Sequence, residues 1–76
     1  MVTAYLMVKA NTGQADRLLE EVTEVPGVEE AHVVAGDIDL IVKAAVDGPE
    51  DVKAIAADHI QRIDGVEDTE TYLAMD

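Results

Sequence analysis

The chain has 76 residues, enough for one domain spanning residues 1–76 and too few for two. It has no cysteine, which excludes disulfides and thiolate metal sites, and 17 acidic against 5 basic residues give a net charge of −12. Such a surface repels nucleic acid and anionic membranes, because phosphate binding depends on Lys and Arg, so neither is expected as a direct partner.

The first half of the chain predicts a strand, a helix and a second strand. The apolar run Val2–Ala10 is typical of a strand, and residues 11–13 end it with a Gly. Across Gln14–Glu24 the apolar residues recur with the spacing of a half-buried helix. Pro26-Gly27 ends that helix, and Val28–Ala35 predicts the second strand.

The second half predicts a hairpin, a helix and a last strand. Gly36-Asp37 lies between two apolar runs and predicts a tight turn, after which a third strand, with Asp39 inside it, runs to Val46. After a break at residues 47–49, the apolar stripe from Val52 to Ile63 predicts the second helix. Val66–Met75 then predicts the fourth strand.

The order β-α-β-β-α-β predicts a ferredoxin-like α+β fold. The two halves echo each other, because Val25–Glu29 recurs as Ile63–Glu67 at the same place between a helix and a strand. Right-handed crossovers then predict a four-stranded antiparallel sheet with both helices on one face.

The other face of this sheet also carries apolar side chains. Tyr5 and Met7 in the first strand, and Ile41 and Ala45 in the third, lie opposite the residues expected in the core. With 49% hydrophobic residues in so small a chain, we expect a second subunit to cover this face in a sheet-to-sheet dimer. The alternative is weak patterning in an Ala-rich monomer.

One carboxylate near the hairpin is not explained by the turn. Gly36 and Asp37 suffice for a tight turn, whereas Asp39 is predicted to lie inside the third strand, where Asp is disfavoured. A residue that breaks a local rule indicates a functional site. The alternative is that Gly36 and Asp37 only shape the turn and Asp39 is a solvated charge.

Four groups of residues carry a family resemblance. They are Pro26-Gly27-Val28, the hairpin Ala31–Leu40, Val42-Lys43, and Gly65-Val66 with Thr69 and Thr71. Over essentially its whole length the chain resembles the effector-binding domain of the Lrp/AsnC (feast/famine) transcriptional regulators, in a free-standing form without a helix-turn-helix. Ile38 stands where that family usually has an aromatic residue, often Tyr.

No apolar run is long enough to cross a bilayer, so we expect a cytoplasmic protein. The resemblance implies a sensor of amino acids. It implies a homodimer that joins into larger rings such as octamers, with the effector bound between dimers near the hairpin. The ammonium of an amino acid would be held by carboxylates and its carboxylate by N–H groups and hydroxyls. The predicted ligand-binding residues are Val34, Gly36, Asp37, Ile38, Asp39, Thr69 and Thr71.

Several interpretations of the partner and the role stay open. The sensor would act on a full-length Lrp-like regulator through mixed assembly, or as a regulatory subunit of an enzyme or transporter. Alternatively, the chain is a structural assembly module without a ligand. An enzyme is not expected, since there is no Cys nucleophile and no Gly-rich phosphate loop, and no cofactor is expected.

The acidic charge has two interpretations. Acids spread along a Lys-poor chain suit a halophilic source, because concentrated salt screens their mutual repulsion. The alternative is an acidic surface that binds a basic partner. We favour adaptation to salt, since the acids are dispersed and do not form one run.

Overall fold

The computed structural model describes residues 1–76, and its elements follow one another in the predicted order. The elements are β1 (Val2–Ala10), α1 (Ala15–Thr23), β2 (Val28–Val33), β3 (Leu40–Val46), α2 (Pro49–Lys53) continued by a π-helix (Ala54–Ile60), and β4 (Val66–Leu73). We call residues 54–60 the π segment. Neither helix has the length and the apolar character needed to span a bilayer.

The four strands form one antiparallel sheet in the order β2-β3-β1-β4. This is the predicted ferredoxin-like arrangement, with β1 and β3 in the centre and β2 and β4 at the edges. Tyr5 of β1 and Tyr72 of β4 are direct cross-strand partners. Their rings are partly exposed, at 37% and 53%.

The hydrophobic core lies on the helix side of the sheet. Inward-facing side chains of β1 and β3 are fully buried there, among them Leu6, Val8 and Val42. Leu18 of α1 and Ile60 of the π segment cover them and are equally buried. The alternation of side chains along each strand therefore leaves a second sheet face, which we call the outer face.

Two glycines make the repeated reversals from helix to strand. Gly27 and Gly65, the matching residues of the two echoes, have φ values of +96° and +103°. A positive φ of this kind is energetically unfavourable for a residue with a side chain, because its Cβ then lies too close to the following carbonyl oxygen. A Cβ on Gly27 would also lie 2.8 Å from Cδ1 of Ile55, so the second helix packs closely against this turn. The sequence echo is therefore a structural echo.

The second helix departs from the expected α geometry. Its predicted apolar stripe is buried at Val52, Ile55, Ala56 and Ile60, as expected. However, the chain winds as a π-helix after Lys53, and the Gln61 N–H donates to the Ala56 carbonyl over 3.0 Å. Hydrogen bonds of this i to i+5 type are rare and occur mostly as short insertions in α-helices.

Substituting Gly27 tests how tightly the second helix packs against its turn. We expect Gly27→Ala to lower the free energy of unfolding by about 2–5 kcal/mol, because backbone strain and overpacking against Ile55 add together. Gly13→Ala is the matched control, since Gly13 also has a positive φ, +79°, but its Cβ would meet nothing within 4 Å. It should cost only about 1–2 kcal/mol. Urea unfolding measures both, and equal losses would contradict the close packing.

Candidate functional site

The hairpin between β2 and β3 is a six-residue loop of residues 34–39, so the predicted tight turn is wrong. Pairing of the two strands stops at Val33 and Leu40, and the loop is closed by a 2.9 Å hydrogen bond from the Val34 N–H to the Asp39 carbonyl. Asp39 lies in this loop and not inside β3, which corrects its predicted position.

Asp39 fastens the loop to the end of β1 by two further hydrogen bonds. Its backbone N–H donates to the Val8 carbonyl over 2.9 Å, and its carboxylate Oδ2 accepts the Ala10 N–H over 2.8 Å. Ala10 is a buried residue, so this carboxylate satisfies a donor that water reaches poorly. A structural requirement therefore accounts for an Asp at this position.

A cleft opens beside this loop at the end of the outer face. It has a volume of about 230 Å³ and is lined by Met7, Lys9, Asp37, Ile38, Asp68, Thr69 and Glu70. We call it the loop cleft. β1 contributes Met7 and Lys9, whose direct cross-strand partners on β4 are Glu70 and Asp68. The loop contributes Asp37 and Ile38 to the same wall.

The loop cleft combines one cation with three carboxylates. Lys9 lies within 4.0 Å of no carboxylate oxygen, although other basic residues of the chain form ion pairs. Asp68 accepts the N–H of Thr69, whereas Asp37 has no side-chain hydrogen bond. An unpaired ammonium next to an unengaged carboxylate can hold a molecule that carries both charges.

Glu70 in this cleft accepts a 2.9 Å hydrogen bond from the Tyr72 hydroxyl. That hydrogen bond, together with the negative charge of Glu70, raises the pKa of Tyr72 above its ordinary value. An unperturbed tyrosine is already neutral near pH 7, so the hydrogen bond itself, and not the raised pKa, orients the Glu70 carboxylate at the cleft.

The predicted ligand-binding residues do not all meet in one place. Asp37, Ile38 and Thr69 line the loop cleft, and the hydroxyl of Thr69 also accepts a 2.8 Å hydrogen bond from the Gln61 side chain. Thr71 lines a different cavity on the helix side of the sheet. The remaining three are loop residues that do not line the cleft, namely Val34, Gly36 and Asp39.

Lys9, Asp68 and Glu70 were missed as candidates from the sequence. They lie on β1 and β4, far from the hairpin along the chain, and only the register of these strands brings them to the loop. The alternation of side chains along β1 could have indicated Lys9, since it places Lys9 on the same face as Met7.

Residues 3–76 match the family model of the Lrp/AsnC ligand binding domain. An HTH-type transcriptional regulator of Pyrococcus abyssi is 32% identical over 77 residues, which cover 97% of this chain and 51% of the regulator. The chain thus spans about half the length of the curated relatives it matches.

Solved structures share this fold. A Thermus thermophilus protein has a TM-score of 0.96 at 30% identity, covering 100% of this chain and 95% of that one. A transcriptional regulator from Neisseria meningitidis, solved in complex with L-Met, has a TM-score of 0.87 at 17% identity, covering 99% of this chain and 50% of its own.

Removing the Asp39 carboxylate tests its structural role. We expect Asp39→Ala to lower the free energy of unfolding by about 1–3 kcal/mol, because the buried Ala10 N–H loses its acceptor. Asp37→Ala is the control on the same loop, and it should change stability by less than about 0.5 kcal/mol, since Asp37 is exposed and unbonded. Chemical denaturation in one buffer measures both variants. Similar small losses for the two would show that the Asp39 contact contributes nothing.

Proposed function

The chain belongs to the Lrp/AsnC ligand-binding domain family, as its sequence resemblance predicted, and we propose that it senses an amino acid in the loop cleft. The family places it among the ligand-binding domains of transcriptional regulators. The observation that carries the proposal is that an unpaired Lys9 ammonium and an unengaged Asp37 carboxylate line the same cleft. The role is one of binding and regulation in the cytoplasm, without catalysis.

An α-amino acid complements the charges of the loop cleft. Its carboxylate would bind the Lys9 ammonium, and its ammonium would bind Asp37, with Asp68 and Glu70 adding negative potential. Met7 and Ile38 offer an apolar surface to its side chain. Asp39 supports this site indirectly, because its hydrogen bond to Ala10 holds the loop that carries Asp37 and Ile38.

A second subunit would complete the site. At about 230 Å³ the cleft is smaller than most small-molecule sites, which measure roughly 300–1,000 Å³. It opens at the edge of the outer face, where we propose that a second copy packs in a sheet-to-sheet dimer and that dimers join into larger rings. A ligand held between subunits would couple binding to assembly, through which the chain would act on a full-length Lrp-like regulator.

The outer face offers an apolar centre for such a dimer. The direct partners Met7 and Ile41 form one row across it, and Tyr5 and Tyr72 belong to the next row. The acids of this face lie on the edge strands, as at Glu30 and Glu70, whereas Lys9 and Lys43 lie on the central strands. An apolar centre with a polar rim is typical of a protein–protein interface.

Ligand binding is tested by calorimetric titration of the twenty amino acids in molar salt, beginning with L-Met. We expect at least one to bind, with Lys9→Met and Asp37→Asn each weakening binding by about 1.5–3 kcal/mol, the worth of a hydrogen bond to a charged group. Lys53→Met removes the same charge away from the loop cleft and should leave the affinity unchanged. If no amino acid binds, or if both cleft variants bind like the parent, the chain is a structural assembly module without this ligand.

Assembly is tested by light scattering at micromolar concentration in molar salt. We expect a mass of at least two chains, and Ile41→Asp should reduce it toward one chain by placing a charge in the centre of the outer face. Val33→Asp makes the same kind of change on the helix-side face of β2, where Val33 is 43% exposed, and should leave the dimer intact. A parent protein with the mass of one chain would exclude the sheet-to-sheet dimer.

A further inference from the structure

A second cavity lies on the helix side of the sheet, between the second helix and β4. It has a volume of about 330 Å³ and is lined by Pro49, Val52, Lys53, Ala56, Ala57, Thr71 and Leu73. We call it the helix-side cavity. It shares no residue with the loop cleft, and its volume falls within the range of roughly 300–1,000 Å³ seen for small-molecule sites.

The cavity has a firm apolar wall. Its five helix residues follow the spacing i, i+3, i+4, i+7, i+8 from Pro49, so one face of the second helix forms one side. Val52 and Ala56 belong to the core, at 4% and 9% exposure, and the cavity therefore rests on well-packed structure. Leu73 forms the opposite side from β4 and is 42% exposed, an apolar surface without a cover.

Small side chains and an unusual helix geometry coincide at this wall. Ala56 and Ala57 are adjacent alanines that leave space between the helix and β4, and both belong to the π segment. A π-helix is less favourable than an α-helix, and such insertions are found frequently at functional sites. The geometry of the backbone thus points to the same place as the cavity does.

Two polar groups at the cavity have no partner within the protein. Lys53 lies within 4.0 Å of no carboxylate oxygen. The nearby Asp51 carboxylate accepts the Gly48 N–H over 3.2 Å. The Thr71 hydroxyl makes no hydrogen bond to another residue, although the hydroxyl of Thr69 does. In a chain with a net charge of −12, an ammonium left unpaired beside an apolar cavity favours an anionic ligand.

We propose that the helix-side cavity binds a monocarboxylate with a short aliphatic chain. Its carboxylate is held by the Lys53 ammonium and the Thr71 hydroxyl, and its chain packs on Val52, Ala56 and Leu73. The lining contains no Asp or Glu, so it offers nothing to the ammonium of an amino acid. This site is therefore chemically distinct from the loop cleft, and it does not depend on the function proposed for that cleft.

Titration with three ligands that share one chain tests the proposal. Hexanoate, pentylamine and pentanol share a pentyl chain and differ in the headgroup, and each is added to ¹⁵N-labelled protein while amide shifts are recorded by NMR. We expect hexanoate to shift the amides of Ala56, Ala57, Thr71 and Leu73 in a saturable way. Pentylamine should leave them unmoved, and pentanol should bind at least about tenfold more weakly, since it lacks the charge that Lys53 pairs with.

Variants then locate the site. Lys53→Met keeps the apolar stem and should weaken hexanoate binding about 10- to 150-fold, the loss of one hydrogen bond to a charged group. Ala57→Leu should abolish binding by filling the cavity. Lys9→Met removes the same charge from the loop cleft and should leave hexanoate affinity unchanged. Thr71→Val removes only the hydroxyl, and it replaces Ala57→Leu if that variant does not fold.

Several results would overturn the proposal. These are no saturable shift with hexanoate, equal binding of all three headgroups, or unchanged affinity in Lys53→Met. Shifts at these residues caused by protein concentration alone would show that a second copy of the chain fills the cavity. None of these results affects the proposal that an amino acid binds in the loop cleft. The amino-acid titrations test that proposal separately.

Discussion

The pairing of β1 with a neighbour on each side is the constraint on which the other features depend. Because side chains alternate along β1, Leu6 and Val8 lie in the core, whereas Met7 and Lys9 lie on the outer face. A slip of one residue would exchange these two sets, so burial of the core fixes the register. Both cavities inherit that register, because the loop cleft uses the outward residues of β1, and the helix-side cavity uses the β4 residues that pair with Leu6 and Ala4. Asp39 completes the arrangement by bonding the last residue of the same strand.

Much of the fold follows from local sequence patterns. Period-two strands, helical stripes and the repeated Gly27 and Gly65 gave the order of elements and the face that each buries, because these signals come from neighbours along the chain. The prediction of a tight turn in the hairpin was wrong because the loop is stabilised by contacts with β1, which lies far away in sequence. The π segment was missed for a related reason, since an apolar stripe does not distinguish α from π hydrogen bonding.

The candidate site was predicted in part, and the misses have a common cause. The hairpin sequence drew attention to Asp37 and Ile38, which do line the loop cleft. It could not show that Asp39 is engaged by a buried N–H, since that donor belongs to another strand. Thr69 and Thr71 share the helix-side face of β4, where the Thr69 hydroxyl accepts a hydrogen bond from Gln61, so the Thr69 side chain faces away from the loop cleft that its chain segment borders. To predict Lys9 as a site residue, one needs the register between β1 and β4, which residue types alone do not provide.

The charges of the four strands are sorted by position in the sheet. The central strands β1 and β3 carry only cations, Lys9 and Lys43, whereas the edge strands carry the acids Glu29 and Glu30 on β2 and Glu67, Asp68 and Glu70 on β4. An exposed edge strand is a template on which other chains can extend the sheet into fibrils. Here an edge strand of another copy that approached either edge of the sheet would bring carboxylates toward carboxylates. The acidic edges thus resist open-ended aggregation even though the outer face of the sheet carries apolar side chains.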